Sequence, residues 1–136
     1  MLLVEDSPSD IELTLEAFKR IRTPNQIFVV EDGEEALLFL NKVGRYKDIV
    51  TPDLILLDLN LPKVDGQSVL KEIKSNDAFR HIPVIILSTS TLEEDILQAY
   101  KLYASCYIVK PLGIKEFWEM IDCIELFWFK IARLPS

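Results

Sequence analysis

Short apolar runs alternate with amphipathic stretches along the chain. Five runs have the length of strands, and we predict strands at residues 2–4, 27–30, 54–57, 84–87 and 107–109. Apolar residues elsewhere recur at helical spacing, which predicts five helices at about 10–22, 36–43, 66–74, 91–103 and 114–131. Thr23-Pro24-Asn25 is expected to end the first helix, and Thr91 and Glu94 have the spacing of a capping box at the start of the fourth.

The run at 54–57, Leu-Ile-Leu-Leu, is apolar at every position. A strand without polar alternation is typical of the centre of a parallel sheet that helices cover on both faces. Strands and helices in strict alternation indicate an α/β fold, and right-handed crossovers leave few topologies. We therefore predict a doubly wound, flavodoxin-like fold with five helices and a five-stranded parallel sheet in the order 2-1-3-4-5.

Polar side chains stand where four of the five predicted strands end. Glu5 and Asp6 follow the first strand, Asp58 the third, Ser88 the fourth and Lys110 the fifth. Ligands of such sheets bind outside the carboxyl ends of the strands, near the point where the strand order reverses. We expect these five residues to converge there.

Three carboxylates at close range raise each other's pKa values and require a cation. Oxygen ligands in small number suit Mg²⁺, and a carboxylate beside it can be phosphorylated. Asp58 is the candidate nucleophile, while Lys110 would neutralise phosphoryl charge and Ser88 would donate a hydrogen bond to it. Glu5 taken alone could be a solvated acid at a loop tip, but the whole set, spread over four segments, is hard to explain as surface charge.

The motifs that carry these residues resemble a response-regulator receiver domain along nearly the whole chain. The matching segments are Leu-Leu-Val-Glu-Asp-Ser at 2–7, Pro-Asp-Leu-Ile-Leu-Leu-Asp-Leu-Asn-Leu-Pro at 52–62, Asp-Gly at 65–66, Pro-Val-Ile-Ile-Leu-Ser at 83–88 and Val-Lys-Pro at 109–111. Residues 32–37 and 124–135 further resemble the single-domain regulators that partner bacterial phytochrome-type and related histidine kinases. The resemblance implies a two-component signalling protein that is phosphorylated by a sensor histidine kinase. Phytochrome-like kinases are the candidates.

The resemblance also implies a metal site for Mg²⁺ or Mn²⁺. Asp58 would be the phosphoacceptor and a metal ligand, Asp6 a direct ligand, and Glu5 a ligand through water. The backbone carbonyl of Asn60 would be the remaining protein ligand.

The same resemblance implies a set of phosphoryl-binding and switch residues. Ser88, Thr89 and Lys110 would hold the phosphoryl group, with serine at 88 in place of the commoner threonine. Tyr107 would be the aromatic switch that follows Ser88. The Lys110–Pro111 peptide bond would be cis, as is usual in the family.

The last predicted helix carries more apolar residues than one face can bury. The first half of one apolar stripe is expected to face the sheet; the whole stripe comprises Ile114, Phe117, Trp118, Ile121, Ile124, Trp128 and Ile131. A second apolar face contains Met120, Cys123, Phe127 and Leu134, with Phe129 outside both. Exposed apolar surface of this kind usually marks an interface, so we predict a homodimer through Phe127, Trp128 and Phe129, extended by Tyr100 and Tyr103. The alternative is that the tail folds back on its own domain.

Length, charge and cysteine content limit the possible domains, binding partners and cellular compartment of the protein. With 136 residues we expect one receiver domain over 1–136 and no effector domain. A net charge of −7 without a Lys/Arg cluster argues against nucleic acid, and no apolar run is long enough for a membrane span. Two cysteines, Cys106 and Cys123, fit a reducing cytoplasm and are predicted to be small core residues; His81 is predicted in a surface loop.

Three rival functions fit the residues less well. A hydrolase of the haloacid dehalogenase type needs a second aspartate two residues after its nucleophile, where this chain has Asn60, and usually a cap insertion. A pure interaction module should lack the acidic pair or Lys110. A flavin binder needs a phosphate-cradling loop, but the acidic segment 5–10 would repel phosphate without a metal. We therefore expect no enzymatic activity beyond self-catalysed phosphorylation and dephosphorylation.

Overall fold

Five strands form one parallel sheet at the centre of the molecule. The computed structural model describes residues 1–20 and 26–135. The strands are β1 (Leu2–Val4), β2 (Phe28–Val30), β3 (Ile55–Asp58), β4 (Val84–Ser88) and β5 (Cys106–Val109). Their order is β2-β1-β3-β4-β5, and every pairing is parallel. The predicted doubly wound sheet is confirmed.

The five predicted helices are present beside this sheet. They are α1 (Pro8–Lys19), α2 (Gly33–Leu40), α3 (Gly66–Ser75), α4 (Glu93–Lys101) and α5 (Ile114–Glu125). A 3₁₀ turn, Gly44–Tyr46, follows α2, and α5 continues into a π-helical segment, Leu126–Ile131. Residues 21–22 of the predicted first helix and the predicted break at 23–25 lie outside the described residues.

Polar side chains at the ends of loops start three of the helices. The N-cap side chains of Ser7, Asp32 and Asp65 accept hydrogen bonds from the backbone N–H groups of residues 10, 35 and 68. The capping box predicted at Thr91 is wrong, because α4 has Leu92 as its N-cap residue. Ser90 lies just before this start: its Oγ accepts a hydrogen bond from the Leu92 N–H at 3.3 Å and donates one to Asp95 at 2.5 Å.

Alternate residues of β3 belong to two different cores. Ile55 and Leu57 pack among the residues of α2, α3 and α4, whereas Leu56 packs with α1 and α5. All three are fully buried, which explains why this strand has no polar alternation. The sheet therefore holds Asp58, at the end of β3, on a rigid strand covered on both faces.

Three details of the loops and of α5 bear on the sequence predictions. No cis peptide bond occurs among the described residues, so the cis bond predicted at Lys110–Pro111 is wrong; trans is the lower-energy form even before proline. Cys106 is half-buried, but Cys123 is exposed on the outer side of α5 and is not the core residue predicted. His81 is exposed in the α3–β4 loop, as predicted.

Candidate functional site

Three carboxylates from two neighbouring strands meet at the carboxyl edge of the sheet. Val4 pairs with Leu57, so the next residues, Glu5 and Asp58, lie side by side. Oxygens of Glu5, Asp6 and Asp58 all lie within 4.8 Å of one another. Glu5 and Asp58 are buried, with 3% and 6% of their surfaces exposed, whereas Asp6 is open to solvent. The structure thus brings together the three acids that the sequence placed at these strand ends.

Backbone donors orient the two buried carboxylates. The Asn60 N–H donates to Asp58 Oδ1 at 3.1 Å. The N–H groups of Asp6 and Ser7 donate to Glu5 Oε2 at 3.1 and 3.5 Å. Each carboxylate therefore has a fixed direction before any ligand binds.

The Lys110 ammonium lies against these acids, as the sequence predicted. Its Nζ contacts Glu5 Oε1 at 2.5 Å, Asp10 Oδ2 at 3.0 Å and Asp58 Oδ2 at 3.4 Å. Only 8% of the Lys110 side chain is exposed. Sequence reasoning missed Asp10, which lies in the first turn of α1. The available signal was Ser7, because a serine N-cap at this position places Asp10 in the first turn of the helix that follows β1.

Burial and mutual repulsion perturb the ionisation of this cluster. Burial first, and then the adjacent Asp58, raise the pKa of Glu5 to about 8, which Lys110 offsets only in part. Burial alone would lower the pKa of Lys110, but the contacts with Glu5, Asp10 and Asp58 raise it above its ordinary value. The ammonium is therefore charged at neutral pH, and it contacts the side chains of three acids.

The donor set fits a hard divalent cation. The oxygens of Glu5, Asp6 and Asp58 belong to carboxyl groups, and Asp6 is open to water. This arrangement suits Mg²⁺, which binds few protein oxygens and keeps several water ligands. Excess negative charge in a largely buried cleft would be relieved by such an ion. The Asn60 carbonyl remains a predicted ligand.

The predicted phosphoryl-binding hydroxyls lie at the end of β4, where Ser88 is the last residue of the strand and Thr89 follows it. Ser88 is fully buried, and its Oγ accepts a hydrogen bond from the Ser90 N–H at 3.1 Å, whereas Thr89 is exposed. A cavity of about 210 Å³ opens at this point, lined by Leu59, Asn60, Asp65, Gln67, Ser88, Ser90 and Asp95. Ser88 and Asn60 thus share an opening next to the phosphoacceptor candidate.

Tyr107, the predicted switch residue, is linked to the loop after Ser88. Its hydroxyl donates to the Ser90 carbonyl oxygen at 2.9 Å, and its ring is half-buried against the core. Its backbone N–H donates to the Tyr100 hydroxyl at 3.2 Å. Its role as a switch remains a prediction.

The predicted interface residues divide into two groups. Tyr100, Tyr103 and Phe127 are 47%, 76% and 49% exposed. Trp128 and Phe129 are half-buried and pack on their own domain, with Phe129 edge-on to Phe18 at 6.4 Å between ring centroids. Sequence reasoning missed further exposed apolar residues around α4 and β5: Leu92, Leu97, Val109 and Leu112.

Comparison with known proteins identifies the family. Residues 1–122 match the family model described as the response regulator receiver domain. Response regulator Rcp1 of Synechocystis sp. (strain ATCC 27184 / PCC 6803 / Kazusa) is 42% identical over 136 residues, which cover all of this chain and 92% of that protein. The probable methanogenesis regulatory protein FilR2 of Methanothrix harundinacea (strain 6Ac) is 37% identical, over all of this chain and 87% of the relative.

Solved structures agree with the sequence relatives. The phosphorylated cyanobacterial phytochrome response regulator RcpA has a TM-score of 0.96 and 46% identity, over 99% of this chain and 96% of RcpA. The Mn²⁺-bound form of Rcp1 has a TM-score of 0.95 and 42% identity, over 99% of this chain and 97% of Rcp1. None of the helices in the described part of the chain combines the length and apolar character needed to cross a membrane. The chain therefore belongs to the response regulator receiver domain family, the signalling proteins of two-component systems, as its motifs predicted.

Proposed function

We propose that this protein, as a single receiver domain over residues 1–136, accepts a phosphoryl group on Asp58 from a sensor histidine kinase and responds by changing its surface. The observation that carries the proposal is the buried Asp58 carboxylate, which lies beside the acidic pair Glu5 and Asp6 and 3.4 Å from the Lys110 ammonium. Such a carboxylate is oriented and solvent-shielded, as a nucleophile toward phosphorus needs to be.

The transfer exchanges one phosphorus bond for another. An Asp58 oxygen forms a bond to phosphorus while the bond from phosphorus to the kinase histidine nitrogen breaks, and the electron pair remains on that nitrogen. Lys110 and the Ser88 hydroxyl donate hydrogen bonds to phosphoryl oxygens. Later attack of water on phosphorus breaks the bond to the Asp58 oxygen, which releases inorganic phosphate and regenerates the Asp58 carboxylate.

A metal site completes the proposal. Asp6, Asp58 and the Asn60 carbonyl would hold Mg²⁺ or Mn²⁺, with Glu5 acting through water, and the cation would supply positive charge against the phosphoryl group. The Mn²⁺-bound form of the relative Rcp1 supports this assignment.

The proposed location is the cytoplasm, because the free thiols of Cys106 and Cys123 suit a reducing compartment.

Intact-protein mass spectrometry tests the phosphoacceptor. With acetyl phosphate and Mg²⁺, the wild type should gain one phosphoryl mass, and EDTA should prevent the gain. Asp58→Asn should gain nothing, whereas the matched control Asp53→Asn, at an exposed residue before β3, should behave as the wild type. A phosphorylated Asp58→Asn protein would exclude Asp58 as the acceptor.

The kinase partner is proposed to be of the phytochrome type, because RcpA and further structural relatives are described as phytochrome or bacteriophytochrome response regulators. Transfer from a phosphorylated phytochrome-type kinase should reach completion faster than transfer from a kinase of another sensor class. Equal rates from both would contradict the assignment.

The output is proposed to be a homodimer whose interface includes Tyr100, Tyr103 and Phe127, because these apolar side chains are exposed. Light scattering should give a dimer mass for the wild type and a monomer mass for Phe127→Asp. Val50→Asp is the matched control, since Val50 is also an exposed apolar residue but lies in the loop before β3. A dimer mass for Phe127→Asp would favour the alternative in which the tail serves only its own domain.

A further inference from the structure

Asp10 contributes a fourth carboxylate to the site that neither the motifs nor the metal assignment uses. Its Oδ2 lies 3.0 Å from Lys110 Nζ, and 28% of its side chain is exposed. It reaches the site from the first turn of α1, whereas Glu5 and Asp58 reach it from strands.

The Lys110 ammonium has no donor to spare. An ammonium carries three N–H groups, and three carboxylates lie around it, those of Glu5, Asp10 and Asp58. Lys110 can therefore donate to a phosphoryl oxygen only by giving up one of these contacts. The contact with Asp58 is the longest at 3.4 Å, and phosphorylation of Asp58 removes the charge of that carboxylate.

Of the two remaining partners, only Asp10 stands apart from the metal cluster. Glu5 belongs to the group of oxygens that can hold a cation, so a cation would draw on its charge. Asp10 does not belong to that group, so a cation bound there would not compete with Lys110 for the Asp10 carboxylate.

The first turn of α1 fixes the position of Asp10. Its N–H donates to the Ser7 Oγ at 3.4 Å, and its carbonyl oxygen accepts from the Thr14 hydroxyl at 2.7 Å. An acid in a first turn also stabilises a helix by itself, so the contact with Lys110 has to be tested separately from that role.

We propose that Asp10 is a positioning residue for phosphoryl transfer. Its carboxylate holds the Lys110 ammonium in place while Lys110 exchanges its contact with Asp58 for a contact with a phosphoryl oxygen. This inference rests on the proposed function, because it assigns Asp10 a part in the same reaction. Asp10 acts through Lys110 and needs no contact with the phosphoryl group.

A double-mutant cycle separates this role from helix stabilisation. Asp10→Ala should lower the rate constant for phosphorylation by acetyl phosphate, and the affinity for beryllofluoride with Mg²⁺, about tenfold, as expected for the loss of one charge-assisted hydrogen bond. Asp10→Asn keeps an acceptor oxygen and should lose less. In a Lys110→Ala background, Asp10→Ala should cause no further loss. The control Glu12→Ala, at an exposed position of the same helix, should leave both quantities unchanged.

Urea unfolding in EDTA gives a second readout that needs neither metal nor phosphoryl donor. The unfolding equilibrium constants of the two single variants and the double variant should be non-additive for Asp10 and Lys110, and additive for Glu12 and Lys110. Wild-type rates in Asp10→Ala, or an equal loss in the Lys110→Ala background, would overturn the role of Asp10 while Asp58 phosphorylation stands. A wild type that gains no phosphoryl mass would overturn the proposed function, and this inference with it.

Discussion

Gly66 gives a sharp test of how tightly Asp58, the proposed phosphoacceptor, is packed. It is the first residue of α3, and its N–H donates to the carbonyl oxygen of Leu59, the residue after β3, at 3.0 Å. A Cβ on Gly66 would lie 2.4 Å from the Asp58 carbonyl oxygen and 2.5 Å from Leu59 Cα, against the 3.4–4 Å of ordinary contact. Both atoms belong to backbone, so the helix or the end of β3 must move by roughly 1 Å, since no flexible side chain can yield.

Two opposing effects determine the stability of the Gly66→Ala variant. Alanine is favoured over glycine in a helix by up to about 1 kcal/mol. Overpacking against backbone costs about 1–3 kcal/mol. We expect the clash to win and the free energy of unfolding to fall by about 1–2 kcal/mol. Because the displaced atoms belong to Asp58 and its neighbour, the rate of phosphorylation should fall as well.

Urea unfolding followed by circular dichroism measures the free energy, and mass spectrometry with acetyl phosphate measures the rate. The pair Ser68→Gly and Ser68→Ala, at an exposed position in the first turn of α3, calibrates the helix preference alone, and there alanine should be the more stable. A Gly66→Ala protein stabilised to the same extent as that pair, with a wild-type phosphorylation rate, would refute the close packing.

Two further predictions concern charges away from the site. Lys74 is half-buried, burial lowers its pKa, and its ammonium donates a hydrogen bond to the buried Ile82 carbonyl oxygen at 2.7 Å. Lys74→Met removes this bond and should lower the free energy of unfolding, measured by urea titration, by about 1–2 kcal/mol. The control Lys71→Met, at an exposed position, should leave it unchanged. The Tyr46 hydroxyl holds the pKa of Glu35 below its ordinary 4.5, so Glu35 stabilises the fold above that pH and loses the effect as pH falls through its folded pKa. Wild type and Glu35→Gln should therefore differ in unfolding at pH 7 and converge toward pH 3; a gap independent of pH would contradict the assignment.

The elements could be predicted because each rests on local periodicity, and the strand ends could be predicted because a parallel sheet gathers its carboxyl ends at one edge. Glu5, Asp58 and Lys110 met for this reason. Asp10 could not be predicted in the same way, because its contact with Lys110, 100 positions away along the chain, depends on where the first turn of α1 lies relative to the end of β5. The capping box predicted at Thr91 failed although the local pattern matched, because the N-cap residue of α4 is Leu92, and the hydroxyl that bonds to the Leu92 N–H and to Asp95 is that of Ser90.

The tail shows the same limit of periodicity. The spacing over 114–131 predicts one helix, and the chain does remain helical, but it changes to π hydrogen bonding at Leu126. A π-helical turn rotates side chains away from the positions that 3.6-residue spacing assigns. Phe129, which lay outside both predicted faces, consequently packs on Phe18. Of Phe127 and Phe129, only Phe127 remains well exposed.

In the proposed switch, the route from the site to the exposed surface consists of contacts that share Ser90. Ser90 donates its N–H to Ser88 Oγ, accepts the Tyr107 hydroxyl at its carbonyl, and donates its own hydroxyl to Asp95 in α4. A Ser88 hydroxyl that turns toward a phosphoryl oxygen disturbs the first of these bonds, and the other two connect the same residue to β5 and α4. Tyr100, whose hydroxyl accepts the Tyr107 N–H, lies on the surface between these two elements. In the proposed switch, phosphorylation would therefore have a short physical path to the surface proposed for dimerisation, through the contacts that Ser90 makes with β5 and α4.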